Sequence, residues 1–171
     1  MSQFIKNDPA ALADYIATIG RGLILFDGRP LAGKTTLAKD MATRLGCGVI
    51  DGDDFIVRKQ NKFIGALKAE ALRERIETSL TAAPLVLLST VCAREVVAKV
   101  GLPAASFVWI ERTSPTLLDI AVRDFADDFD RDEPCEDDKL RQEVEAYIKV
   151  HGARDRADKV YVNAPPDPVE C

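Results

Sequence analysis

One stretch of eight residues restricts this chain more than any other: Gly28–Arg29–Pro30–Leu31–Ala32–Gly33–Lys34–Thr35. Two glycines at its ends, with Lys and Thr following the second, fit a loop that folds its backbone N–H groups around a phosphate, where a Cβ would block the approach. The flanks agree. Leu23–Ile24–Leu25–Phe26 is a short continuous apolar run, the pattern of a strand buried on both faces. Beyond the loop, Leu37, Met41 and Leu45 recur every four residues and Gly46 stands where a helix would end. A helix starting near Lys34 aims its N-terminal dipole and free N–H groups at the same anion. In this reading residues 28 to 36 bind a nucleoside triphosphate. Lys34 supplies charge to the β- and γ-phosphates, the Thr35 hydroxyl ligates Mg2+, and Thr36 bonds the α-phosphate.

The rest of the chain alternates strand and helix signals. Asp8–Pro9 reads as a helix cap and first turn, with Leu12, Ile16 and Ile19 on one face and Gly20 closing a helix within residues 1–20. Val49–Ile50 forms the next strand core, and Ile64 to Leu80 reads as an amphipathic helix. Pro84 to Leu88 is a third strand, Ala93 to Val100 a helix closed by Gly101, and Ala105 to Ile110 a fourth strand. Leu118, Val122, Phe125 and Phe129 predict a further helix, Leu140 to Ile148 the last one, and Lys159 to Asn163 the last strand. Strands separated by helices make βαβ units. The expectation is therefore an α/β, three-layer P-loop NTPase fold. It has a five-stranded parallel sheet with helices on both faces and occupies residues 1–171 as a single domain.

Bulk properties narrow the function classes. A net charge of −5 lacks the basic face of a general nucleic-acid binder, and no apolar run approaches the roughly 18 residues of a membrane span. Met1–Asn7 lacks the apolar core of a secretory signal. Cys47, Cys92, Cys135 and Cys171 form no C-x-x-C pair, and with His151 as the one histidine they meet no zinc-finger spacing. Reduced thiols in a cytoplasm are the expectation. Oligomeric state leaves no mark on the sequence.

The second strand ends in Asp51–Gly52–Asp53–Asp54–Phe55. Ligands of open parallel sheets sit beyond the carboxyl ends of the strands, so Asp51, Asp53 and Asp54 share an edge with the phosphate loop. A carboxylate there can accept the proton of an attacking hydroxyl, or orient Mg2+. A solvated acidic turn is the bland alternative. Three acids beside a triphosphate would, however, repel it without a compensating metal or substrate.

Asp53–Asp54–Phe55 after the second strand, together with the phosphate loop, resembles the uridine kinase and nicotinamide riboside kinase group of P-loop kinases. Their Asp–x–Phe motif supplies the catalytic base from its first Asp, a role the resemblance gives to Asp53. Ala121–Val122–Arg123–Asp124 is similar to the stretch that opens their lid, which implies a lid over about residues 113–138 and a charge-stabilising role for Arg123. Tyr147 followed by Ala157–Asp158–Lys159–Val160 resembles their Tyr…Ala–Asp pattern. The resemblance also implies that adenine stacks near Asn163–Ala164–Pro165–Pro166. Leu88–Ser89–Thr90 departs from the pattern, since many relatives carry an acid there near the metal. Mg2+ would then rest on Thr35, phosphates, waters and Asp51.

Among other residues, Arg131 competes with Arg123 for the transferring phosphoryl group, and Asp54, Arg58 and Lys59 are candidates to face the acceptor. Trp109 reads as core, Cys92 as buried beside the pocket, and His151 as capping carbonyls at the end of its helix. The functional expectation is an ATP- and Mg2+-dependent kinase acting on a hydroxyl of a small molecule: a nucleoside, sugar, vitamin precursor or antibiotic. The competing class is a P-loop ATPase switch with no acceptor. A GTPase is disfavoured because Asn61–Lys62–Phe63–Ile64 lacks the Asp that reads guanine.

Overall fold

The computed structural model describes residues 3–58, 60, 62–113 and 136–164. In chain order the elements are β1 (Phe4–Lys6), α1 (Pro9–Ile19), β2 (Gly22–Asp27), α2 (Lys34–Leu45), β3 (Gly48–Asp51), α3 (Ala69–Ala82), β4 (Leu85–Ser89), α4 (Ala93–Val100), β5 (Ser106–Arg112), α5 (Glu136–His151) and β6 (Lys159–Asn163). Short 3-10 turns cover Gly52–Phe55 and Ile64–Ala66.

The apolar run before the phosphate loop becomes β2, buried from Leu23 to Asp27, and it lies inside the sheet order β1-β6-β5-β2-β4-β3. Every pairing is parallel. Alternation along the strands divides the core. Ile24, Phe26, Leu87, Val108 and Ile110 face α1 and α2, while Leu23, Leu25, Val86, Leu88 and Trp109 face the α3–α4–α5 side. The sequence left the seat of the first helix open. It packs beside α2, with Leu12 and Ile16 fully buried, each worth about 1.5–3 kcal/mol relative to exposure. Asp8 caps α1 by accepting from Ala11 N at 2.9 Å, and Gly20 closes it at φ 78°, as its capping signals predict.

Two expectations change. The sheet has six strands where five were expected, because Phe4–Lys6 adds a parallel edge strand on β6. Three residues with a half-exposed phenylalanine carry no recognisable strand period. Backbone bonds from Val160 N to Gln3 O and from Asn7 N to Val162 O extend the ladder. The helix expected over Ile64–Leu80 begins at Ala69. Leu67 instead pairs with Ile56 in an isolated bridge, and Lys68 N bonds Phe55 O, tying the segment back to the acidic turn. The helix expected around Leu118–Phe129, and nearly all of the lid segment with it, lies outside the described residues.

Among the described residues no helix is long and apolar enough to cross a membrane. Cys47 is half-buried and Cys92 buried, both as free thiols, while Cys135 and Cys171 lie outside the described residues.

Candidate active site

The parallel register sets the site. Asp51 is paired with Ser89 at the carboxyl ends of β3 and β4, and the start of α2 lies against them. Thr35 Oγ1 donates to Asp51 Oδ2 at 3.3 Å and lies 3.1 Å from Ser89 Oγ. Asp51 Oδ1 meanwhile accepts from Asp53 N at 3.0 Å, which shapes the acidic turn. The departure at Leu88–Ser89–Thr90 therefore resolves locally: a hydroxyl stands at the end of β4, and the nearby acid comes from β3.

The loop itself needs its glycines. Gly33 has φ 90° and caps α2 without a side-chain bond, leaving the helix's opening N–H groups free to face an anion. A Cβ on Gly28 would lie 2.4 Å from the Ile110 carbonyl oxygen in the adjacent β5, at φ 153°. Gly28→Ala is thus expected to destabilise the protein by about 3 kcal/mol, lowering its melting temperature by roughly 10 °C. Thermal unfolding of the variant checks this, and an unchanged midpoint would contradict the close approach. Leu31, at φ 64°, is a non-glycine in the left-handed region, exposed at the loop tip.

Lys34 is 9% exposed, and its Nζ donates to Arg29 O at 2.6 Å. Burial pulls its ammonium down to about 8, against the opposing pull of Asp27, Asp53 and Asp51. Asp53 is exposed on its outer side, yet partial desolvation at the cleft and then the Asp51 charge raise its carboxyl, with Lys34 acting the other way. A cleft of about 320 Å³ is lined by Lys34, Thr35, Thr36, Asp51, Asp53, Ser89 and Thr90, together with Pro30, Leu31, Gly33, Val91 and Leu140. The structure thus brings the loop, Asp51 and Asp53 together. Asp54 and Arg58 are exposed and do not line this cleft. Arg123, Arg131 and Lys59 lie outside the described residues.

Asp27 and Arg112 escape sequence reasoning, and so does the pairing of Asp27 with Tyr147. Asp27, 3% exposed, ends β2 immediately before the loop. Its Oδ1 accepts from Gly28 N at 2.9 Å, and its Oδ2 accepts from the Tyr147 hydroxyl at 2.5 Å. Burial raises the Asp27 carboxyl, while those bonds and Lys34 act the other way. Burial and then the Asp27 charge push the Tyr147 phenol well up, so it remains a donor. An acid at a strand–loop junction was the available signal. Asn163 Nδ2 donates to Ala32 O at 3.1 Å, and the Arg112 guanidinium borders the position a Gly33 Cβ would take, so both flank the outer side of the loop. Pro165 and Pro166 lie outside the described residues. His151 does not cap a carbonyl. Its Nε2 lies 3.1 Å from Glu95 Oε1, and its ring lies against Tyr147. Trp109 and Cys92 are buried, as expected.

No protein-family model matches the chain, and no curated protein matches it. Solved structures do. A possible uridine kinase from Bacillus stearothermophilus superposes with a TM-score of 0.61 at 18% identity, over 90% of this chain and 96% of that one. A provisionally assigned fructose transport system kinase from Silicibacter sp. TM1040 gives 0.54 at 14% identity, over 90% and 98%. A sugar kinase from Janibacter sp. HTCC2649 gives 0.52 at 15% identity, over 86% and 87%. The chain has the P-loop kinase fold.

Proposed function

We propose that this chain is an ATP-dependent kinase that transfers the γ-phosphoryl group to a hydroxyl of a small molecule. The observation that carries the reading is the convergence of Lys34, Thr35, Asp51 and Asp53 on one cleft at the carboxyl edge of a P-loop kinase sheet. The kinases among the similar folds support the reaction class; uridine and sugar kinases among them are consistent with a hydroxyl acceptor.

The residues fit Mg2+. Thr35 Oγ1, Asp51 Oδ2 and Ser89 Oγ form an all-oxygen cluster beside the phosphate loop, the donor type a hard cation takes. Among the described residues no three His, Cys, Asp or Glu side chains group to hold a metal by themselves, which suits a metal held partly by phosphates and water. Bound through Thr35 and Asp51, Mg2+ would neutralise charge on the β- and γ-phosphates. Residues 28–36 cradle the triphosphate. A phosphate oxygen offers Lys34 a charged acceptor stronger than the Arg29 carbonyl, so the ammonium transfers to it. Asp53, whose carboxylate takes no hydrogen bond from the described residues, accepts the acceptor's hydroxyl proton as the oxygen attacks in line. Arg123 supplies further charge stabilisation in this reading. Asn163 and Ala164 would border the nucleoside end in this reading, while Asp54 and Arg58, exposed and outside the cleft lining, take no part in it. Catalysis comes from positioning and electrostatics rather than covalent chemistry.

The test is ADP release from Mg-ATP across nucleosides, sugars, vitamin precursors and aminoglycosides. Turnover that depends on one acceptor class is expected and names the substrate. Slow turnover indifferent to every acceptor would replace the kinase reading with an ATPase switch.

A further inference from the structure

α5 carries a buried face in which Val144 and Tyr147 are each no more than 2% exposed. Val144 ends in the core. Tyr147 reaches past it to polar groups at the root of the phosphate loop. Its hydroxyl donates to Asp27 Oδ2 at 2.5 Å and accepts from Arg94 N, in the first turn of α4, at 3.1 Å. Asp27 uses its other oxygen to hold Gly28 N. Two side chains thus stitch three elements together: the end of β2, the start of α4 and the last turns of α5.

The purpose of this stitching follows from what stands on the other side of Asp27. Gly28 has no side chain by which the loop could be anchored. Its direction of departure is set by the close approach to Ile110 and by the bond to Asp27. Lys34 lies within electrostatic reach of Asp27, and the two attract. A buried carboxylate keeps every donor it can find, because an unmet lone pair there is costly. With Tyr147 in place, both Asp27 oxygens are engaged by neutral donors. Without it, Oδ2 loses its hydroxyl donor, and the Lys34 ammonium, which Asp27 attracts, is a stronger donor than any neutral group. Lys34 drawn back to Asp27 is a Lys34 withdrawn from the phosphates.

We propose that Tyr147 is a positioning residue for nucleotide binding: by occupying Asp27 Oδ2 from α5, it holds the loop root in place and keeps the buried carboxylate from capturing Lys34. The proposal rests on the nucleotide-binding reading of residues 28–36 and goes beyond it, since Tyr147 touches neither nucleotide nor acceptor.

The test is calorimetric titration of the full chain with Mg-ADP, comparing wild type, Tyr147→Phe, Asp27→Asn, the double variant and Val144→Ala. Tyr147→Phe is expected to weaken binding on the order of tenfold. In the Asp27→Asn background the same change should matter by less than about twofold, because the competing carboxylate is gone. Val144→Ala, on the same buried face, should lower the melting temperature and leave Mg-ADP affinity unchanged. Equal losses from Tyr147→Phe in both backgrounds, or no loss in either, would overturn the proposal. So would a loss from Val144→Ala as large as that from Tyr147→Phe, which would make the effect one of helix stability alone. The Tyr147→Phe and Val144→Ala pair decides the matter alone if Asp27→Asn fails to fold. Wild type that does not bind Mg-ADP would instead remove the nucleotide reading itself, a result distinct from all of these.

Discussion

Asp53→Asn is expected to reduce acceptor-dependent ADP release by at least about a hundredfold, and up to about ten-thousandfold, the range a general base supplies. Affinity for Mg-ADP should hold within about twofold or tighten slightly, because the change removes an anion from beside the phosphates. The pH profile carries a second signature. Asp53 must be ionised to accept a proton, and partial desolvation at the cleft together with the Asp51 charge raises its carboxyl. The acid limb of kcat/KM should therefore fall above the pH of a normal carboxylate, with activity lost as pH drops through it, and should vanish in the variant. Asp51→Asn separates the two acids. It disturbs the contact with Thr35 and the bond that shapes the turn, so Mg2+ dependence and nucleotide affinity should move together. Steady-state kinetics with the identified acceptor and titrations with Mg-ADP measure all of these. A variant at Asp53 that keeps full turnover would remove it as the base and leave Asp51 as the remaining acid lining the cleft.

What the sequence made legible follows a physical rule: local patterns show, and long-range polar pairings do not. The strand–loop–helix unit around residues 23–45 could be read because each part has its own period or its own glycine. Asp51 and Asp53 could be placed on the loop's edge because a parallel sheet exposes its ligand site at the carboxyl ends of its strands. β1 could not be read, since three residues of which only Ile5 is partly buried have no period to detect. Asp27 and Tyr147 stand 120 positions apart, and nothing in the neighbourhood of either announces the other. The helix expected from Ile64 begins instead at Ala69: Ile64, Ala66 and Leu67 satisfy a helical apolar pattern, whereas the backbone bonds from Lys68 N to Phe55 O and from Val57 N to Ala66 O outweigh that preference. Glu143 completes the override by accepting both Phe63 N and Ile64 N, at 2.7 and 3.1 Å. That interaction too is invisible at a separation of 80 residues.

Lys34→Met is expected to abolish measurable binding of Mg-ADP and, without nucleotide, to make the protein more stable at pH 7 by up to about 3 kcal/mol. The two effects have one cause. Lys34 is nearly buried, and burial disfavours its charged form more than Asp27, Asp53 and Asp51 favour it, so its pKa falls from 10.5 to about 8. A lysine whose folded-state pKa lies below its unfolded value weakens the fold wherever it must be charged. That penalty is complete below about pH 8 and disappears as pH rises from about 8 to 10.5, where the unfolded lysine also loses its proton. At about 1.4 kcal/mol per pH unit this interval sets the upper bound of about 3 kcal/mol. Methionine has a similar length and carries no charge, so it lifts the penalty without opening a large cavity. Denaturant unfolding at pH 7 and pH 10 should show the variant's advantage shrinking at the higher pH. Saturating Mg-ADP should reverse the order at pH 7, since it stabilises only the chain that binds it. A variant less stable than wild type at pH 7 would mean that the attraction of Lys34 to the three aspartates outweighs its burial. The loop lysine would then hold the fold together as well as the phosphates, and its burial would carry no net penalty.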